Sequence, residues 1–340
     1  MSIHLMKIML LAGACMALTG PANAQINWSG FGELAGGGIP DSSPHSTTPL
    51  VLAGGAHVNA AFESGLNLQF DAEGTRDFFN IKDPAGRYPR DNFSNSDKMT
   101  KYGLGVHLDL RGDQYLVGGL ASIGNSDWTR YNNRLVTVGV EGALFLDRTT
   151  LFSQLTYSRA VQGHFAGDGL DSPYLYTGAR YFLRDNLMLE ADAGAGTIET
   201  NDMMYTGTNV GPVDTTTFII DTNYNGNALH WGTKVEYRFQ DSPVSLAFDY
   251  RGSYSTWSYW HIVELRSSGG GRFNCNASFT VHRTENLFML RLRYYFGQDS
   301  LIANDRNGAS ISDYNPWYGT EPVSEGFAGN LSALFPPPSC

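Results

Sequence analysis

The sequence predicts an all-β chain, a transmembrane antiparallel up-and-down β-barrel of twelve strands with short turns at one end and longer loops at the other. Three observations predict it. Between Asn286 and Phe296 every second residue is apolar or aromatic (Phe288, Leu290, Leu292, Tyr294, Phe296), with Met289, Arg291, Arg293 and Tyr295 between them. Successive side chains of a strand point to opposite faces, so one face is greasy and the other carries two arginines. About a dozen segments repeat this pattern, and their connections alternate in length. A secretory leader precedes them, and no later stretch approaches the roughly 20 apolar residues of a membrane-spanning helix. If the mature chain crosses a membrane, it does so as strands closed into a barrel, with lipid outside and water or ion pairs inside.

The leader comes first. Lys7 is the one Lys or Arg in residues 1–24, Ile8 to Leu18 is a short apolar run, and Ala22-Asn23-Ala24 offers small residues for cleavage before Gln25. Cys15 would suit lipoprotein processing, but Ala12-Gly13-Ala14 lacks the large aliphatic residue expected before it. The domain plan is therefore a signal peptide over 1–24, a barrel over 25–296 and a flexible C-terminal periplasmic tail over 297–340.

Alternation and turn signals place strands at 26–36, 51–63, 66–74, 101–111, 114–123, 134–146, 149–160, 174–184, 187–199, 227–239, 243–256 and 284–296. Tight turns fall at Glu63-Ser64-Gly65, Arg111-Gly112-Asp113, Asp147-Arg148, Arg184-Asp185 and Gln240-Asp241-Ser242-Pro243, all rich in turn formers. The other connections, 37–50, 75–100, 124–133, 161–173, 200–226 and 257–283, are longer. An even strand number leaves both ends of the barrel on the short-turn side, expected to be periplasmic.

Each strand's facing follows from its charges. On 101–111, Tyr102, Leu104, Val106, Leu108 and Leu110 meet lipid while Lys101, His107 and Asp109 point inward. On 187–199, Leu187, Leu189, Ala191 and Ala193 face out, and Glu190 and Asp192 in. On 227–239, Leu229, Trp231, Val235, Tyr237 and Phe239 face out; His230, Lys234, Glu236 and Arg238 face in. On 243–256, Val244, Leu246, Phe248, Tyr250 and Tyr254 face out, with Asp249 and Arg251 inside. No lipid face carries a charge in its middle, where one would cost about 2–4 kcal/mol. Strand 26–36 alternates least, and Glu33 is placed inward. Aromatics near strand ends (Tyr237, Phe239, Tyr294 and Phe296; Trp257, Tyr259 and Trp260) read as two interfacial girdles.

Composition agrees with this plan. The 39 glycines and 13% aromatics accompany only 16% charged residues, fewer than a soluble domain of this size carries. A net charge of −10 argues against nucleic acid as a partner. Removing the leader leaves Cys275 and Cys340, expected at opposite ends of the barrel and hence unpaired with each other.

Leu292-Arg293-Tyr294-Tyr295-Phe296 resembles the aromatic-ended last strand by which Gram-negative outer-membrane barrels are recognised for assembly. The resemblance covers Gln25 to Phe296 and concerns architecture, not a specific transporter. It implies a porin-like barrel of the bacterial outer membrane, with Leu292, Tyr294 and Phe296 as the signal read by the barrel-assembly machinery and membrane lipid as a partner.

Inward basic residues concentrate on the last five strands: Arg180, Lys234, Arg238, Arg251, Arg291 and Arg293. Inward acids begin earlier, with Asp71 and Glu73. A basic wall facing an acidic one would set up a transverse field, resembling general porin constrictions, and would pass small hydrophilic solutes. Glu190, Asp192, Glu236 and Asp249 stand among the basic residues, however, and neighbouring pairs such as Lys234 with Asp249, or Arg251 and Arg291 around an acid, would neutralise them. The lumen is then either a passage lined by mixed charges or a filled pillar acting through loops or tail. In the tail, Phe327, Gly329, Leu331, Ala333 and Phe335 alternate, but lack of a hairpin partner favours a flexible segment; a folded-back plug is the alternative.

No catalytic motif stands out. His57, His230 and His282 are candidate bases for a hydrolase, but none sits in a Ser/His/Asn or Asp/His pattern, and no Gly-x-Ser-x-Gly elbow or zinc-spaced His/Cys cluster occurs. The sequence reads as no enzyme, with no metal and no cofactor.

Overall fold

The computed structural model describes residues 26–38, 50–78, 98–128, 131–162, 171–210, 215–267 and 272–309. The expected leader, the tips of the longer connections, Cys340 and the alternating stretch 327–335 lie outside the described residues. Twelve strands follow in order: β1 (Ile26–Gly38), β2 (Leu50–Phe62), β3 (Leu66–Phe78), β4 (Lys98–Arg111), β5 (Tyr115–Trp128), β6 (Tyr131–Leu146), β7 (Thr149–Gln162), β8 (Asp171–Arg184), β9 (Leu187–Val210), β10 (Thr215–Arg238), β11 (Val244–Ser267) and β12 (Arg272–Phe296). Each pairs antiparallel with its sequence neighbours, and β1 pairs with β12 from Gly30 opposite Phe296 to Gly38 opposite Phe288, closing the barrel. Closure leaves no unpaired edge over the height that all twelve strands share, whereas β9 and β12 continue beyond their pairing with β8 and β1.

The predicted facing holds on every strand named above. Outward residues are exposed all round the wall, among them Leu34, Leu52, Phe70, Leu104, Val117, Val140, Leu155, Leu175, Leu189, Val235, Phe248 and Leu290. Leu104 and Leu290 are 57% and 54% exposed, far beyond what a water-soluble body leaves on such a belt. Along β10 the apolar side runs from Leu229 to Phe239. At about 3.3 Å per residue and about 40° of tilt, that is about 25 Å, the height of a bilayer's hydrocarbon band. This is a transmembrane barrel.

Two sequence expectations need correction. First, 200–226 and 257–283 are not simply loops: β9, β10 and β11 have 24 residues each and β12 has 25, against 13 to 16 in the other strands. The extra ten or so residues per strand rise about 33 Å along the strand. They are rich in Thr, Tyr, Ile and Asn, so β-propensity persists while the membrane's demand for strict alternation ends. Trp257, Tyr259 and Trp260 thus stand within β11 and Cys275 within β12, their side chains outside the described residues.

Second, the tail does not begin as a flexible segment. Gly297 turns the chain sharply out of β12 at φ +77, where a Cβ would lie 2.1 Å from the Trp28 carbonyl oxygen. A short helix, α1 (Leu301–Asn307), follows. Ser300 caps it, its Oγ accepting from the Ala303 amide at 3.1 Å. Leu301 and Ala309 are buried with Phe31, Phe182, Met188 and Tyr295 inside the short-turn end of the barrel. Of the two alternatives for the tail, its first dozen residues follow the folded-back one.

Candidate functional site: an ion-paired interior met by the tail

The inner wall carries every predicted lumen residue, and alternation along strands flanked by tight turns is what aims them there. They divide into two arcs that follow the wall from strand to strand.

The first arc runs over β2 to β7. His57 Nδ1 stands 2.9 Å from Asp71 Oδ1, and its Nε2 lies 3.5 Å from Glu73. The second Asp71 oxygen lies 2.9 Å from His107 Nε2, whose Nδ1 is 2.8 Å from Glu141. Gln154 donates to the other Glu141 oxygen at 2.9 Å, and Gln69 donates to both oxygens of Asp71. Asp109 lies beside Arg111 at 3.8 Å.

The second arc runs over β8 to β12 and crosses the closing seam to β1. Glu190 accepts Arg180 at 2.6 Å and Lys234 at 3.0 Å. Arg251 reaches Asp192 at 2.9 Å and Asp249 at 3.0 Å. Asp249 also accepts from Arg291 at 2.8 Å, and Arg291 donates in turn to Glu33 at 2.6 Å. Arg293 holds Glu33 and Glu236 at 2.7 Å each, while Tyr295 and Ser245 donate to Glu236 at 2.6 Å. The arcs meet where Arg293 lies over the Phe31 ring, which stacks on His57 at 4.4 Å.

These pairings overturn the transverse field. Among the described residues, each of these inward carboxylates is matched by a base on its own or a nearby strand, so these charges do not divide into an acidic wall facing a basic one. The intervening-acid expectation for Arg251 and Arg291 holds, with Asp249 between them. Lys234 and Asp249 are register partners, but the Lys234 ammonium turns to Glu190. Arg238 serves backbone, donating to the carbonyls of Ser242 and Gln298 at 2.9 and 2.8 Å.

The interior is covered as well as paired. Asp71, His107, Asp109, Arg180, Glu190, Asp192, Lys234, Glu236, Arg238, Asp249 and Arg293 are all buried; Glu73, Arg251 and Arg291 keep 29, 26 and 18% of their side chains exposed. On the β5–β8 side Leu116, Phe145, Phe152, Tyr174 and Tyr176 fill the space with apolar and aromatic bulk.

Residues of the tail join this network. Asp305 accepts from Arg180 at 2.6 Å and from Thr150 at 2.5 Å, linking β8 to β7. Arg111 donates to the carbonyls of Arg306 and Gly308 at 3.0 and 2.9 Å, satisfying the helix's orphan C-terminal oxygens. The Leu301 amide donates to the backbone carbonyl of Asp185 in the β8–β9 turn at 2.9 Å, and the Arg306 guanidinium to the backbone carbonyl of Asp147 in the β6–β7 turn at 2.9 Å.

Of the candidate bases, His57 belongs to the first arc. His230 is buried between the Tyr174 hydroxyl and Asp192, the latter at 3.4 Å. His282 pairs with Tyr254 on the exposed outer side at 2.9 Å. Sequence reading missed Glu141 and Gln154, although alternation against Val138 and Val140 on β6, and against Leu151 and Leu155 on β7, places them inward. It missed Asp305 because nothing periodic marks the plug. Among the described residues no group of three or more His, Cys, Asp or Glu is arranged to hold a metal ion.

Fold and interior together define a membrane-spanning β-barrel with an ion-paired core. No protein-family model matches the chain, and no curated protein does. Solved barrels resemble it. OmpT, an outer membrane protein of Vibrio cholerae, is 12% identical over 82% of this chain and 100% of its own, with a TM-score of 0.36. An outer membrane channel from Pseudomonas putida F1 is 8% identical over 82% and 97%, at 0.45. LpxR from Salmonella typhimurium is 9% identical over 79% and 100%, at 0.36. Likeness at this level carries no substrate or activity to this chain.

Proposed function

We propose that this protein is a bacterial outer-membrane barrel that is closed to free diffusion and works through its tall β9–β12 hairpins and its tail. Burial of the inward charges carries this reading: a water-filled passage would leave them exposed, whereas most are covered and paired. The leader, the lipid-facing band and the aromatic-ended β12 support the outer membrane as its site and the assembly machinery as the partner that reads Leu292, Tyr294 and Phe296. Small hydrophilic solutes then enter the long-hairpin end as far as Glu73, Arg251 and Arg291. No catalytic role, metal or cofactor is assigned. The buried His230, with Tyr174 and Asp192 around it, offers no open approach for a substrate.

A second reading, passive diffusion of small hydrophilic solutes through a lumen of mixed charges, draws on the partial exposure of Arg251, Arg291 and Glu73. Planar-bilayer recording of the purified full-length protein separates the two. The closed reading expects an ion-tight membrane; discrete conductance steps from the unmodified protein would replace it with the diffusion reading.

A further inference from the structure

We propose that the short-turn mouth of the barrel is a carboxylate-binding site, occupied in this state by the chain's own Asp305, and that carboxylate-bearing small solutes compete with the plug for it.

Three arginines from separate strands converge on residues 298–309. Arg180 of β8 grips the Asp305 carboxylate, Arg111 of β4 grips the Arg306 and Gly308 carbonyls, and Arg238 of β10 grips the Gln298 carbonyl. The Asp305 grip has the form of a ligand site: one oxygen takes Arg180 at 2.6 Å, the other takes the Thr150 hydroxyl at 2.5 Å, and the carboxylate is buried. Two donors divided between the two oxygens of one planar group is how carboxylates are recognised.

The site demands an anion. Arg180, Lys234 and, at 3.9 Å, Arg251 share one wall carboxylate, Glu190, so Asp305 supplies the buried Arg180 with its second carboxylate partner. A vacated plug would leave the buried Arg180 with one of its two carboxylate partners, an arrangement that favours an incoming anion. The wall does not need the plug to close. The β1–β12 ladder is complete up to Phe296, and the plug adds no strand to the barrel, hanging from it by Gly297. Its holds are polar grips through the Asp305 and Arg306 side chains and several carbonyls, with Arg306 lying over the Phe145 ring, beside a small apolar contact at Leu301 and Ala309. The proposal stands whether or not the bore above conducts.

The test uses the full chain with Cys275→Ser and Cys340→Ser, and Ala309→Cys as reporter. Ala309 is 1% exposed, so its labelling by a maleimide reports plug release. Expected results are slow labelling in the docked state and a rise of roughly tenfold or more with Asp305→Asn, as loss of a charged hydrogen bond warrants. Citrate at tens of millimolar accelerates labelling of the Asp305 protein, inorganic phosphate does so less, and sucrose or sodium chloride at matched ionic strength does not. Arg180→Gln abolishes the citrate effect. Citrate acting no better than chloride, or Asp305→Asn labelling no faster, overturns the proposal. Heat-modifiable migration in gels certifies a folded barrel, and if Asp305→Asn does not fold, the citrate comparison on the Asp305 protein decides alone.

Discussion

Glu33 and Arg291, 258 positions apart in sequence, meet at 2.6 Å across the seam where the first strand joins the last. The second Glu33 oxygen takes Arg293, so one carboxylate of β1 clasps two guanidinium groups of β12. The seam is held by its backbone ladder and by this clasp within the barrel.

Removing the clasp weakens closure. Glu33→Ala leaves two largely covered arginines each short of a partner, a loss of about 3 kcal/mol by analogy with broken buried pairs. The temperature at which the folded gel band converts to the unfolded one should fall clearly; a transition unchanged from wild type would show the clasp to be energetically idle.

Adjacent positions on β12 separate lipid from lumen. Leu290→Arg places a charge against acyl chains and should cost about 2–4 kcal/mol in urea titrations of vesicle-embedded protein. Thr284→Arg, above the apolar band on the same face, should cost less than half as much. Equal costs would argue that the outer face meets water.

Gly297 makes the turn that returns the tail to the barrel. Gly297→Ala forces a Cβ into the Trp28 carbonyl at an unfavourable φ, and about 1–3 kcal/mol of docking is lost. Faster proteolytic removal of the tail, with the barrel band intact, is the expected result.

The proposal that the protein has no catalytic role is equally testable. Purified protein and its His230→Ala variant should be alike in failing to hydrolyse phospholipid or peptide substrates. Turnover by the wild type that vanishes in the variant would make the His230–Asp192–Tyr174 group an active site.

The lipid-facing half of the molecule was legible because a bilayer imposes one rule on every strand. Leu104, Leu229 and Leu290 can face only one way, and their facing fixes that of His107, His230 and Arg291. Partners inside were less legible. Lys234 stands opposite Asp249 on one side and Glu190 on the other and binds Glu190, and alternation alone does not say which of two register partners a long side chain takes. Above the bilayer both faces of a strand meet water, so 200–210 and 272–283 lost their period while remaining strands. The plug was illegible for a further reason: its contacts with Arg180, Arg111 and Arg238 are all long-range, and a seven-residue helix carries little pattern of its own.

Four neighbouring strands out of twelve are nearly twice as tall as the shortest, so the barrel has a front and a back. Copies crowded side by side in a two-dimensional layer are then not interchangeable under rotation about the membrane normal. Which flank a neighbour meets becomes a property of the assembly, imposed by strand length alone.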